Sequence, residues 1–414
     1  MLASSTRFCL FGHAPAVCAP LTRPRVAKQA LICKAARDRD GHQRNDGATA
    51  LPYVLATLEL SKCSDIFELE STYNSNELFI DAISLAAAWV KLGKLYNAKV
   101  DACKYKQVTR NLLSKALKLV EEMDLRQISN VLWAMGKMRL DLAAEPLGPY
   151  LVEQMEGRLL VVLEEEGLSD PRSAEQLWFG LALCKYDWSG EVLRALLHQT
   201  LEAIRQWENC KAVSQVCQQL STTLRQRVTL DDQQRALLAG AIASAIHADD
   251  KDPQIKIGLA KAVGSFLLAA DLLQLPVTLH DVQRMNDITV NMPPGLVASE
   301  GGLLAAYKLL RCTRLGFQPS QADAQRWYLL LTEGARAPWD AYTVSWIAAS
   351  LASCRNFKPP PELVQHIGAV VRSPPRGVEE GDLSRLVTAC KAWGVKVPDT
   401  VASRLSSRSR PAPQ

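Results

Sequence analysis

Ile128-Ser129-Asn130-Val131-Leu132-Trp133-Ala134-Met135-Gly136-Lys137-Met138 decides the fold class. Its apolar residues fall three and four apart, the spacing that lines one side of an α-helix. A second copy follows at Ser173-Ala174-Glu175-Gln176-Leu177-Trp178-Phe179-Gly180-Leu181-Ala182-Leu183, in which Asn130 is matched with Glu175. Leu112, Leu113, Ala116, Leu117 and Val120 keep the same period, and β-branched alternating runs are scarce. The chain therefore reads as all-α.

The segments Tyr307 to Pro319, Trp346 to Pro359 and Arg385 to Pro398 each run from a helix into a turn that ends in proline, and their first residues stand 39 apart. Equal intervals of this size mark a repeat. Weaker copies fall at Ala82 to Gly93 and Val213 to Leu224, for about seven in all, with Gln254 to Leu268 a degenerate one beside them. Gly93, Gly316 and Gly394 are expected as helix stops, and Pro361-Glu362 as the start of a second helix within one unit. A pair of helices cannot bury its own apolar face, so units of about 38–46 residues must stack into an α-solenoid. Trp133, Trp178 and Trp346, set among Leu and Ala, are expected in its core.

Outward from the array, composition divides the 414 residues further. Residues 1–37 carry Arg7, Arg23, Arg25, Lys28, Lys34 and Arg37 with no acid, the make-up of an organelle transit peptide, with a processing site expected near Cys33. Removing them turns a formal charge of +5 into −1, so a polyanion partner needs a local stripe of charge. Residues 38–75 are a lead-in, 76–284 an N-terminal array, 285–302 an irregular linker with Pro293 and Pro294, 303–400 the C-terminal repeats, and 401–414 a disordered basic tail. The expected destination is the chloroplast, with the mitochondrial matrix as the alternative.

Several chemistries lack their sequence signatures. The eleven cysteines include no Cys-x-x-Cys and the six histidines do not cluster with them, so neither a disulfide framework nor a metal site is expected; the cysteines read as small buried apolar residues. Phosphate-loop, nucleophile-elbow and His-Glu-x-x-His motifs are absent, so no enzyme and no cofactor is expected. The best uncharged apolar candidate, Ala341 to Cys354, is 14 residues, short of the roughly 18–20 that a membrane span needs.

Ser129 to Met138 resembles the Leu-Trp-Ala-x-x-Lys-Leu core of octotricopeptide-repeat proteins, also found in FAST-kinase-like organelle proteins. Arg314-Leu315-Gly316-Phe317-Gln318-Pro319 is similar to that family's Lys-Leu-Gly-x-x-Pro ending, and Pro359 to Val371 to its proline-glutamate entry. The likeness covers roughly residues 76–400, without the RAP domain of longer members. It implies a helical-pair array binding single-stranded organelle RNA, with ribosomes or maturation complexes among its partners. Such an array offers two or three polar side chains per unit to a base. The candidates are Arg126, Gln127 and Asn130 in one unit, Ser173, Glu175 and Gln176 in a second, and Ser214, Gln215 and Gln218 in a third, with Lys137, Lys308, Arg311, Arg314, Arg385 and Lys391 assigned to phosphates. The expected function is processing, stability or translation of organelle transcripts or ribosomal RNA. A protein-binding scaffold, or a structural subunit of an organelle ribonucleoprotein, is the alternative, motivated by the near-neutral body.

Overall fold

Three of the expected helices begin at an aspartate. Asp81, Asp124 and Asp170 lie in extended backbone and accept from the amides of Ser84 (2.8 Å), Gln127 (2.8 Å) and Ser173 (3.2 Å), satisfying donors that a helix start leaves open. Ser84 and Gln127 bond back to the backbone of their caps, completing capping boxes. The computed structural model describes residues 51–97, 102–207, 210–222, 227–248, 253–291, 302–334, 341–355, 357–374, 378–399 and 401. The transit peptide, the start of the lead-in and nearly all of the tail lie outside the described residues. Of the two units into which the chain divides, Met1–Pro52 is described only at Leu51 and Pro52, and Tyr53–Gln414 holds the array.

Among the described residues there are 17 α-helices and no strand. Helix α1 is Leu51–Lys62 and α2 is Ile66–Ser75. A first layer follows: α3 (Ala82–Leu95), α5 (Leu125–Lys137), α7 (Pro171–Leu183), α9 (Cys210–Ser221), α11 (Pro253–Leu272), α13 (Gly302–Arg314), α15 (Ala341–Ala352) and α17 (Glu380–Ala392). Each of these packs on the next, and most of these steps exceed any other helix contact among the described residues. Between them run the second-layer helices α4 (Ala102–Leu119), α6 (Gly148–Glu166), α8 (Gly190–Ala203), α10 (Asp232–His247), α12 (Leu279–Val290), α14 (Gln321–Gly334) and α16 (Pro361–Arg372), with α2 ahead of α4. The chain is thus an all-α solenoid of helix pairs. First-layer helices start 39 to 49 residues apart, and the two 39-residue intervals expected for the C-terminal units are present.

The structure corrects three expectations about the elements. Eight first-layer helices are described rather than about seven. Met285 to Val290 close helix α12 instead of opening an irregular linker; residues 292–301 lie outside the described residues. Gly316 and Gly394 do end helices with positive φ (88° and 66°), but Gly93 sits inside α3. It is a contact: a Cβ at Gly93 would stand 3.1 Å from the Ala134 Cα on α5. One step along, a Cβ at Gly136 would come within 2.9 Å of the Gly180 Cα, and one at Gly180 within 2.6 Å of the Leu132 carbonyl. Backbone touches backbone along α3, α5 and α7.

Side-chain hydrogen bonds tie the stack together where apolar packing alone would allow sliding. The buried Trp178 indole donates to Thr200 on α8 (2.9 Å), and Trp327 on α14 donates to Asn286 on α12 (2.8 Å). Ser350 donates to the Ala306 carbonyl across α13 and α15 (2.8 Å). Cys184, Cys312 and Cys354 are buried and free, and burial pushes their thiols up to about 12.

Gly180→Ala should therefore lower stability by about 1–3 kcal/mol, since the methyl meets the backbone of α5. Gly240→Ala, inside α10 with nothing within 4 Å of the new methyl, should raise stability by up to about 1 kcal/mol. Urea midpoints of the two variants check the contrast; equal shifts would contradict the close approach.

Candidate nucleic-acid interface

The near-neutral body conceals a division of charge between the layers. The eight first-layer helices carry 13 Lys and Arg against 4 Asp and Glu. The eight second-layer helices from α2 to α16 carry 11 against 15. A local field of this kind attracts a polyanion to one layer even though the whole chain is close to neutral.

On α5 the open positions are Arg126, Asn130, Trp133 and Lys137, spaced four, three and four apart, so they form a single stripe. Arg126 and Lys137 are exposed and neither has a carboxylate partner among the described residues. The Lys137 ammonium lies 5.2 Å from the centre of the half-buried Trp133 ring. Burial, and then the neighbouring Lys94 charge, hold its pKa below the usual lysine value. Asn130 accepts from the Gln176 amide across the α5–α7 step (3.0 Å), which leaves its own amide hydrogens unused by that bond.

Aspartate caps fix the register of α5 and α7 at 46 residues, from Asp124 to Asp170. Asn130 is thereby level with Gln176 rather than Glu175, and Trp133 is level with Phe179. Trp178 faces the core at 0% exposure, as expected; Trp133 and Trp346 are only half-buried and border the open face.

Several candidate residues are engaged in the fold instead of facing outward. Gln127 is 7% exposed and closes the α5 capping box, with its amide on Asp124 (3.0 Å). Ser173, 2% exposed, donates its hydroxyl to the N-cap Asp170 at the start of α7 (2.7 Å). Gln176 is 8% exposed and also accepts from Ser129 (3.3 Å). Lys308 is 2% exposed and donates to the Ala260 carbonyl (3.1 Å) between α11 and α13, so it cannot reach a phosphate. Glu175 pairs with Lys211 on α9 at 3.2 Å. Ser214 donates to the Lys211 carbonyl (2.8 Å) beside half-buried Gln215 and Gln218.

The C-terminal cations are largely neutralised. Arg311 and Arg314 both pair with Asp271 on α11, the latter at 3.5 Å. Arg385 pairs with the buried Asp382, donates to Ser345 (3.1 Å) and lies 4.2 Å over the Trp346 ring. Tyr307 packs on that ring at 4.2 Å and Tyr342 stands edge-on at 6.4 Å. Lys391 remains exposed.

Sequence reading passed over Lys94, Arg172 and Phe179, which the register places with the α5 stripe. The recurring Asp-x-x-Ser or Asp-x-x-Gln at 81, 124 and 170 is the available signal, because an N-cap aspartate fixes helix phase to the residue. A shallow cleft on the second layer, lined by His247, His280, Gln283, Arg284 and Asp287, has its polar groups bonded locally: His247 to Asp281 (2.9 Å), Gln283 to Asp287 (2.8 Å) and Arg284 to the Ile246 carbonyl (3.2 Å). Among the described residues no group of three or more His, Cys, Asp or Glu is placed to hold a metal ion, and no helix is long and apolar enough to cross a membrane. No family model matches the chain, and no curated protein sequence matches it.

Lys308→Ala should cost about 1–3 kcal/mol by removing a buried, charge-assisted hydrogen bond to the Ala260 carbonyl. Lys137→Ala, at an exposed position, should stay within about 0.5 kcal/mol of the parent. Thermal melts of both variants check this; similar losses would contradict the placement of Lys308.

Proposed function

We propose that this chain is an organelle RNA-binding helical-repeat protein, of the octotricopeptide kind, acting in processing, stability or translation of transcripts or ribosomal RNA. The observation that carries the reading is the concentration of cations on the first layer, beside amide and aromatic side chains at repeating heights. Phosphates meet lysine and arginine, bases meet amides and ring faces, and a stack of units spaces these groups along a strand. The acid-free leader supports import, to the chloroplast or, as the alternative, the mitochondrial matrix. The role is binding rather than catalysis, and ribosomal or maturation-complex proteins are the natural neighbours of such a ligand.

A protein-scaffold reading draws on a different observation. Leu55, Phe67 and Leu78, at the N-terminal end of the array, are 47% to 87% exposed. Large apolar side chains left exposed are a feature of protein interfaces.

Salt separates the two readings. In filter binding, the full chain should retain single-stranded RNA better than duplex, because splayed bases are accessible and the deep A-form groove is not. Retention should fall linearly on logarithmic axes as salt rises. Failure to hold RNA at low salt, with a protein partner bound regardless of salt, would favour the scaffold.

A further inference from the structure

The first layer is not uniform along its length. Its N-terminal part, α3 to α7, has Lys94, Arg126, Lys137 and Arg172 with no carboxylate partner among the described residues. On α13, α15 and α17 the arginines are closed onto Asp271 and Asp382, and the Trp346 ring is already engaged by Tyr307 and Arg385.

Trp133 differs from Trp346 in one decisive way. Its edge lies over Gly93, with Cζ3 3.4 Å from where a Cβ would stand, so the missing side chain lets the indole lie across the α3–α5 step. The ring is half-buried, and the described group over it is the flexible Lys137 ammonium. Lys94 adds a second positive charge close by, and the repulsion between the two ammoniums is relieved when a phosphate comes between them. Asn130, one turn before Trp133, is held in place by Gln176 and offers amide hydrogens to a base edge.

We propose that a single strand is held chiefly on α3, α5 and α7, where one base stacks on Trp133 against Asn130 while Lys94, Arg126, Lys137 and Arg172 hold phosphates, and that the α13–α17 face is closed to it. This rests on the RNA-binding reading and narrows it to a footprint. A base displaces Lys137 from the ring, and the freed ammonium moves to the backbone, so stacking and phosphate contact form together. Four phosphate contacts give a salt slope of about −3 for a single strand.

Fluorescence anisotropy with the full chain and a labelled 12-nucleotide single-stranded RNA of mixed sequence, titrated across potassium chloride concentrations, tests this. Trp133→Leu should weaken binding at least tenfold with the slope unchanged, and Trp133→Phe, which keeps a ring, should stay within about threefold. Joint replacement of Lys94 and Lys137 by Ala should reduce the slope by about 1.4, while joint replacement of Arg314 and Lys391 by Ala should leave affinity within twofold. Circular dichroism verifies that each variant is folded. If the Arg314 and Lys391 variant loses as much slope as the Lys94 and Lys137 variant, or if removing the Trp133 ring changes nothing, the footprint is wrong and RNA binding as such stands. If the unsubstituted chain fails to bind at low salt, the RNA-binding reading falls as well.

Discussion

The rest of the structure depends on the backbone contact between neighbouring first-layer helices. Gly136 against Gly180, and Gly93 against Ala134, let successive helices touch with almost no side chain between them. Close approach brings the open stripes of neighbouring helices near enough to act as one surface. Asn130 then reaches Gln176, Trp133 lies over Gly93, and Lys94 acts on Lys137. Larger residues at those glycines would separate the helices and break the surface into isolated stripes.

Capping supplies the complementary constraint. A helix can rotate or slide on its neighbour unless its start is fixed, and the aspartates at 81, 124 and 170 fix it. Together, caps and glycines set the height and phase of every side chain on α3, α5 and α7. On these three helices the open stripe carries Lys94, Arg126, Lys137 and Arg172. Further along, the arginines are instead paired across successive helices, through Asp271 and Ser345.

Fold class was legible in the sequence because helical periodicity survives where side chains vary. The 39-residue spacing of the C-terminal units was legible too, since the glycines at 316 and 394 and the prolines after them punctuate the chain at equal intervals. The fine register was not. Matching Leu-Trp to Leu-Trp put Asn130 opposite Glu175 and Trp133 opposite Trp178, whereas the caps place each one residue later, which turns Trp178 into the core and leaves Trp133 half open. A one-residue error rotates a helix by roughly 100°, enough to exchange a buried side chain for an exposed one. Lys308 was misplaced for a related reason: a lysine reads as surface from sequence, and only the packed structure shows the carbonyl of Ala260 receiving it.

Photochemical crosslinking of bound single-stranded RNA to the full chain, followed by mass mapping of the adducted peptides, tests the central claim most directly. Adducts concentrated within residues 82–95, 125–137 and 171–183, with Trp133 among them, are the predicted result. Adducts spread over the second-layer helices, or centred on residues 302–392, would contradict it.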